Sequence, residues 1–207
     1  MEVAGKSKAH VVIDSCMHET MVYFSDHHKL LRCNPFCSMV DYDATHDLYK
    51  WVFEVADPRE NPIVAIFYVR QHEETISLSE GVGAEFAATR LKERQHFSGE
   101  GKRIRWEAVE NHPVVDTSRP NTYVGRASSD IFLLYRHDKK TSVFFDTEVA
   151  VDFSISFPLN LMPEGILKFM SDTIMSQIMQ QATDRMLCQV QSEICCPVDP
   201  GAPKGDG

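Results

Sequence analysis

The run TSVFFDTEVAVDFSISF, residues 141–157, decides the fold. Val143, Phe145, Thr147, Val149, Val151, Phe153, Ile155 and Phe157 alternate with Asp146, Glu148, Asp152, Ser154 and Ser156. Phe144 and Ala150 are the only apolar members of the second set. A period of two over this length predicts a long strand with one buried face. Past Pro163 the period changes. Ile166, Leu167, Phe169, Met170, Ile174, Met175, Ile178, Met179, Ala182, Met186, Leu187, Val190 and Ile194 recur at helical spacing. They predict one long helix with a wide apolar stripe, opened by Pro163 and Glu164 and stopped by Pro197. The strand would run ~50 Å and the helix ~48 Å, so each can span a whole domain.

Working outward, the chain before this pair reads as further strands. Residues 9–24 read as strand, broken near Ser15–Cys16, after a short frayed start. Ser25 looks like an N-cap, and Asn34-Pro35 closes the short helical piece behind it. Strands follow at 38–43, 48–56, 63–69 and 76–78, with a turn at Asp57 to Pro62. Gly81-Val82-Gly83 reads as a turn. Residues 86–109 read as a hairpin turning at Ser98 to Gly101, residues 111–122 as a loop, and Ile131 to Tyr135 as a strand. About seven strands in meander order imply an antiparallel sheet. One helix covers such a sheet only if the sheet curves around it. The expected fold is α+β: a curved antiparallel sheet gripping a long C-terminal helix, with a short early helical segment. The expected division is a flexible N-terminus over 1–9, the domain over 10–194 and a disordered tail over 195–207.

Composition narrows the function classes. The net charge is −9, which argues against nucleic acid as a partner, because phosphate binding needs an excess of Lys and Arg. The longest fully apolar run is the seven residues Ile63 to Val69, far short of the ~20 that a membrane helix needs. Six cysteines without an apolar N-terminal leader point to free thiols in a reducing, cytoplasmic setting. A plastid or other organelle would look the same after removal of a leader.

The segment Leu30-Leu31-Arg32-Cys33-Asn34-Pro35, the strand Tyr49 to Val55, the start Asn61-Pro62-Ile63 and the block Leu161 to Val190 carry a resemblance. Over most of residues 10–194 the chain resembles the START-related superfamily, also called Bet v 1-like or helix-grip. More narrowly, it resembles a family of unknown function from plants, algae and cyanobacteria. The resemblance implies a cavity between sheet and helix that takes lipids, sterols, polyketides, pigments or hormones. Some members are enzymes and many only carry or sense, so it does not decide activity.

The residues themselves nominate a lining: Trp51, Phe53, Phe67, Trp106, Phe145, Val149, Phe153, Met170, Ile174 and Ile178. Five of the nine methionines lie between Met162 and Met186, and methionine adapts to varied apolar shapes or simply fills an irregular core. In the expected hairpin Arg94 would face Arg105 and His96 would face Arg103. With Arg90 and Lys92 this makes a basic stripe for an anionic headgroup, a peripheral membrane surface or an acidic protein partner. Cys33 and Cys37 behind His27 and His28 lack the second half that a four-ligand zinc site needs. Cys195-Cys196 after the helix could take an acyl chain or merely end it. No catalytic pair, metal site or cofactor motif stands out. The leading expectation is therefore a non-enzymatic carrier or sensor of an apolar molecule or lipid. The alternatives are an assembly protein with a filled core, and a small-molecule enzyme of the same fold.

Overall fold

The computed structural model describes residues 1–56, 60, 62–89, 96–110, 121–153 and 163–195. Its elements run β1 (Glu2–Ile13), α1 (Met17–Ser25), α2 (His27–Leu31), β2 (Cys37–Asp43), β3 (Leu48–Ala56) and β4 (Pro62–Ser77). They continue with α3 (Gly81–Ala88), β5 (Phe97–Ala108), β6 (Thr122–Arg136), β7 (Thr141–Asp152) and α4 (Glu164–Cys195). The strands form one sheet in the order β1-β7-β6-β5-β4-β3-β2, antiparallel at every sequential step. Past Ala108, where β5 ends, Val64–Phe67 of β4 pair directly with Thr122–Gly125 of β6 in parallel. The expected α+β architecture, a curved sheet with a long terminal helix, is what the chain adopts.

The pleat assigns two faces. Trp51, Phe67, Val69, Ile104, Trp106, Ile131, Leu133, Val143, Phe145 and Val151 lie on the inner face and form the main core with Phe24, Leu30 and Leu31. Met186, Leu187 and Val190 from α4 complete it. On the outer face α3 lays Phe86 and Ala87 over Ile76, Leu78, Phe97, Phe132, Leu134 and Phe144. That second core explains why Phe144 breaks the otherwise wet pattern of its face.

The outer edge of β1 would leave a row of backbone groups without partners, a liability that sheets cover. Here α4 covers it with polar side chains. The amide of Ala4 donates to Asp172 Oδ1 at 2.8 Å, that of Lys6 to Ser176 Oγ at 3.1 Å and that of Lys8 to Gln180 Oε1 at 3.0 Å. The carbonyls of Glu2, Lys8 and Val12 accept from Lys168 Nζ, Gln180 Nε2 and Gln191 Nε2, each at 2.9 Å. Four residues of helix advance ~6 Å and two of strand ~6.7 Å, so an i, i+4, i+8 row matches alternate strand residues. Gly5 permits the approach: a Cβ there would stand 2.5 Å from Met175 Cγ and 2.6 Å from Met179 Sδ.

Several expectations are corrected. The segment 1–9 is not frayed, since Glu2–Ala9 pair in register with β7. Residues 17–25 are helix rather than strand: Cys16 caps the helix by accepting from the Glu19 amide, and Thr20 and Phe24, four apart, are its buried side. Gly81-Val82-Gly83 opens α3 instead of making a turn. The hairpin over 86–109 does not form. Ser98 to Gly101 lie inside β5, and Arg103 and Arg105 sit between β4 and β6, opposite Glu74 and Phe132, and His72 and Asp130. Arg94, expected opposite Arg105, the stripe residues Arg90 and Lys92, the loop at 111–120, the strand end at 154–157 and the tail from 196 lie outside the described residues.

The ladder between β1 and α4 makes a prediction. Asp172→Ala with Gln180→Ala removes the side-chain acceptors of the part-buried Ala4 amide and the exposed Lys8 amide, at a cost of about 0.5–1.5 kcal/mol each. Amide exchange at Ala4 and Lys8 should accelerate far more than at Val11. Unchanged exchange at Ala4 and Lys8 would show that the ladder is not what seals this edge.

Candidate functional site

The inner face is closed at one end and open at the other. At the closed end α1, α2 and the C-terminal half of α4 pack on Trp51, Trp106, Phe145 and Ile131. At the open end Phe53, Ala65, Tyr123, Val149 and Phe153 are only half-buried, although all belong to the inner face. Met175 and Met179 lie over Gly5, whereas Met170, Ile174 and Ile178, at i, i+4 and i+8, form a row rotated away from that contact. These three residues are 47%, 53% and 40% exposed. Among the described residues, the aromatic side chains at this end of the inner face are therefore less covered than those at the other. Thr147 is likewise half-buried on this face.

The expected lining divides accordingly. Trp51, Trp106 and Phe145 are sealed in the closed core, and Phe67 is buried between the two regions. Phe53, Val149 and Phe153 lie at the open end, and Met170, Ile174 and Ile178 stand exposed on α4.

At the closed end lies a residue that the sequence offered only as part of an incomplete zinc site. His27 is 1% exposed, with its ring stacked on Tyr49 at 3.6 Å and 3°. Trp51 Nε1 donates to His27 Nδ1 at 3.0 Å. Nδ1 is therefore the acceptor, and Nε2–H donates to Gln71 Oε1 at 2.6 Å. Gln71 Oε1 also accepts from Trp106 Nε1 at 2.8 Å, while its amide nitrogen donates to Glu73 Oε1 and to the Ser25 carbonyl. Every polar atom of this chain of contacts has a partner. Burial pushes the imidazole down to about 4, so it is neutral near pH 7. Both nitrogens of His27 are committed to holding the two tryptophans. The signal that could have found it is the helix-start position of His27 behind the Asp26 cap, facing inward with Leu30 and Leu31.

A second polar group fastens the C-terminal end of α4. Glu193 accepts from Tyr23 Oη at 2.7 Å and from the Arg32 guanidinium at 2.6 Å. Those two bonds hold its carboxyl down at about 2. Burial, with help from Cys33 and Glu193, pushes the Tyr23 phenol up.

The cations of the expected basic stripe that are described are matched by carboxylates. Arg103 pairs with Glu74 at 2.8 Å and Asp130 at 2.5 Å, and Arg105 with Glu107 at 2.8 Å. Arg105 lies in a depression of about 520 Å³ with Lys6, Lys8, Glu107, Asp130, Asp146 and Glu148. Among the described residues no cluster of three His, Cys, Asp or Glu side chains converges as a metal site would require. No described helix is long and apolar enough to cross a membrane.

No protein-family model matches this sequence, and no curated protein matches it. Solved structures match the fold. Human StAR-related lipid transfer protein 5 aligns with a TM-score of 0.51 at 10% identity, over 90% of this chain and 74% of that one. The Zhui aromatase/cyclase from Streptomyces sp. R1128 aligns with a TM-score of 0.50 at 10% identity, over 92% and 96%. The di-domain aromatase/cyclase StfQ of the steffimycin biosynthetic pathway aligns with a TM-score of 0.50 at 5% identity, over 93% of this chain and 51% of that one. The narrower resemblance to the family from plants, algae and cyanobacteria rests on sequence pattern alone.

The neutral, buried His27 predicts a pH dependence. As pH falls from about 6.5 to about 4 the unfolded chain binds a proton that the folded chain refuses. Stability is therefore complete above 6.5 and declines by about 2–3 kcal/mol down to 4. Denaturant titrations of the protein and of His27→Gln should differ in slope only within that window. Equal slopes would remove His27 as the cause.

Proposed function

We infer that this chain, which has the helix-grip fold of START and Bet v 1-like proteins, is a non-enzymatic carrier or sensor. Its ligand is an apolar small molecule or lipid lying in the trough between the sheet and the N-terminal half of α4. The observation that carries this reading is the end of the inner face where Phe53, Ala65, Tyr123, Val149 and Phe153 stay half-buried, on a domain whose long helix also leaves Met170, Ile174 and Ile178 exposed. Isolated exposed apolar residues need no explanation, but a cluster of half-buried aromatic and aliphatic side chains on one concave face marks a candidate binding site. Covering such surface contributes ~25 cal/mol per Å² buried, which would supply most of the affinity.

The neighbours by fold include a protein named for lipid transfer and two named as aromatase/cyclases, so both carrying and catalysis occur on this architecture. The carrier reading is favoured by His27. It is the buried titratable group nearest to what an enzyme would use, and both its nitrogens already have partners. A general acid or base needs one within reach of the substrate.

Native mass spectrometry of protein purified from its own source tests this reading. The expected result is a bound apolar molecule that is absent from Ile174→Glu/Ile178→Glu. A wild-type protein that carries nothing, and that fails to bind a neutral fluorescent probe such as 1-aminoanthracene, would overturn it.

A further inference from the structure

Along the inner face the trough changes character at Gly5. Toward the open end lie Val3, Val149, Val151 and Phe153, all apolar. One step inward the register brings Ser7 beside Thr147 and Thr147 beside Ser129. Thr183 of α4 joins this row, at 2.8 Å from the Ser7 hydroxyl. Ser129 Oγ donates to Thr147 Oγ1 at 2.5 Å, and Thr147 donates to the Ser128 carbonyl at 3.0 Å. Thr147 thus keeps one acceptor lone pair, and it is half-buried where Ser7, Ser129 and Thr183 are buried. Between this row and the open end stand Met175 and Met179. Their Cγ and Sδ occupy the space that a side chain at residue 5 would fill, and both are half-buried.

Resting on the carrier reading above, we propose that Met175 and Met179, seated on Gly5, set how far an apolar chain can enter the trough. Beyond them the Ser7–Thr147–Ser129 hydroxyls receive a neutral, hydrogen-bond-donating tip. The physical basis is that methionine has three soft torsions and no branch, so it closes a gap and also yields space. Any larger residue at position 5 would displace both methionines. The register rows through Gly5 and Ser7 on β1, β7 and β6 carry no charged side chain on the inner face, so an ionised tip would be buried without a partner there. These two methionines and Gly5 are thus specificity-determining residues for ligand length.

The test uses the full chain and a series of straight-chain primary alcohols from octanol to hexadecanol, competing with 1-aminoanthracene. Two variants act in opposite directions. Met179→Ala should move the preferred alcohol longer by about two to three methylenes, and Met179→Trp should move it shorter. Each methylene gained or lost should change Kd about fourfold. Thr147→Val should weaken alcohols about fivefold or more relative to alkanes of equal length, since it removes the acceptor. A variant that merely misfolds would lose all lengths alike, so opposite shifts cannot come from instability. If the wild-type protein binds alcohols but both Met179 variants keep its length preference, this inference fails and the carrier reading stands. If the wild-type protein binds neither probe nor any alcohol, both fail.

Discussion

The unpaired edge of β1 is the constraint on which the rest of the molecule depends. A strand at the end of a sheet must have its outward amides and carbonyls satisfied or shielded. In this chain Lys168, Asp172, Ser176, Gln180 and Gln191 do so from one face of α4. Because that polar row must face the strand, the orientation of the whole helix follows. The apolar residues cannot all turn inward at once. Met186, Leu187 and Val190 reach the core, while Met170, Ile174 and Ile178 are left exposed.

The two ends of the inner face are thereby different materials. The closed end is cross-braced by hydrogen bonds through His27, Trp51, Gln71 and Trp106, and by the Glu193 clamp onto Tyr23 and Arg32. Such fully partnered buried groups specify one arrangement of their neighbours. The open end has no comparable bracing among the described residues, and its aromatic side chains keep exposed surface. A rigid anchor next to an adaptable, methionine-bordered space suits a protein that holds an apolar guest.

Much of the architecture was legible because β7 and α4 have long, clean periods. The errors share one cause. Met21 to Phe24 look β-rich, yet the Cys16 cap and the Thr20–Phe24 pair place them on a helix. Ser98-Gly99-Glu100-Gly101 has turn composition, yet it lies within β5, where Gly101 fits tightly against Leu133 and Leu134. Local composition reports what a segment tolerates, and tertiary packing decides which tolerated state is used. The frayed start failed for the same reason: Lys6 and Lys8 hold their side chains in water, while their backbone amides bond to α4.

The sequence alone determined the alternation of β7, the length of α4, the meander and the candidate apolar lining. These depend only on periods of two and 3.6 along the chain. Only the tertiary structure decided that the polar residues of α4 cap a strand instead of facing water. It also decided that His27 is neutral and sealed between two tryptophans, and that the basic residues of β5 are paired. Apart from the local pair Arg105–Glu107, these rest on groups between 24 and 179 residues apart meeting at hydrogen-bond distance. No local pattern encodes such meetings, because they exist only once the sheet has curved and the helix has docked on its edge.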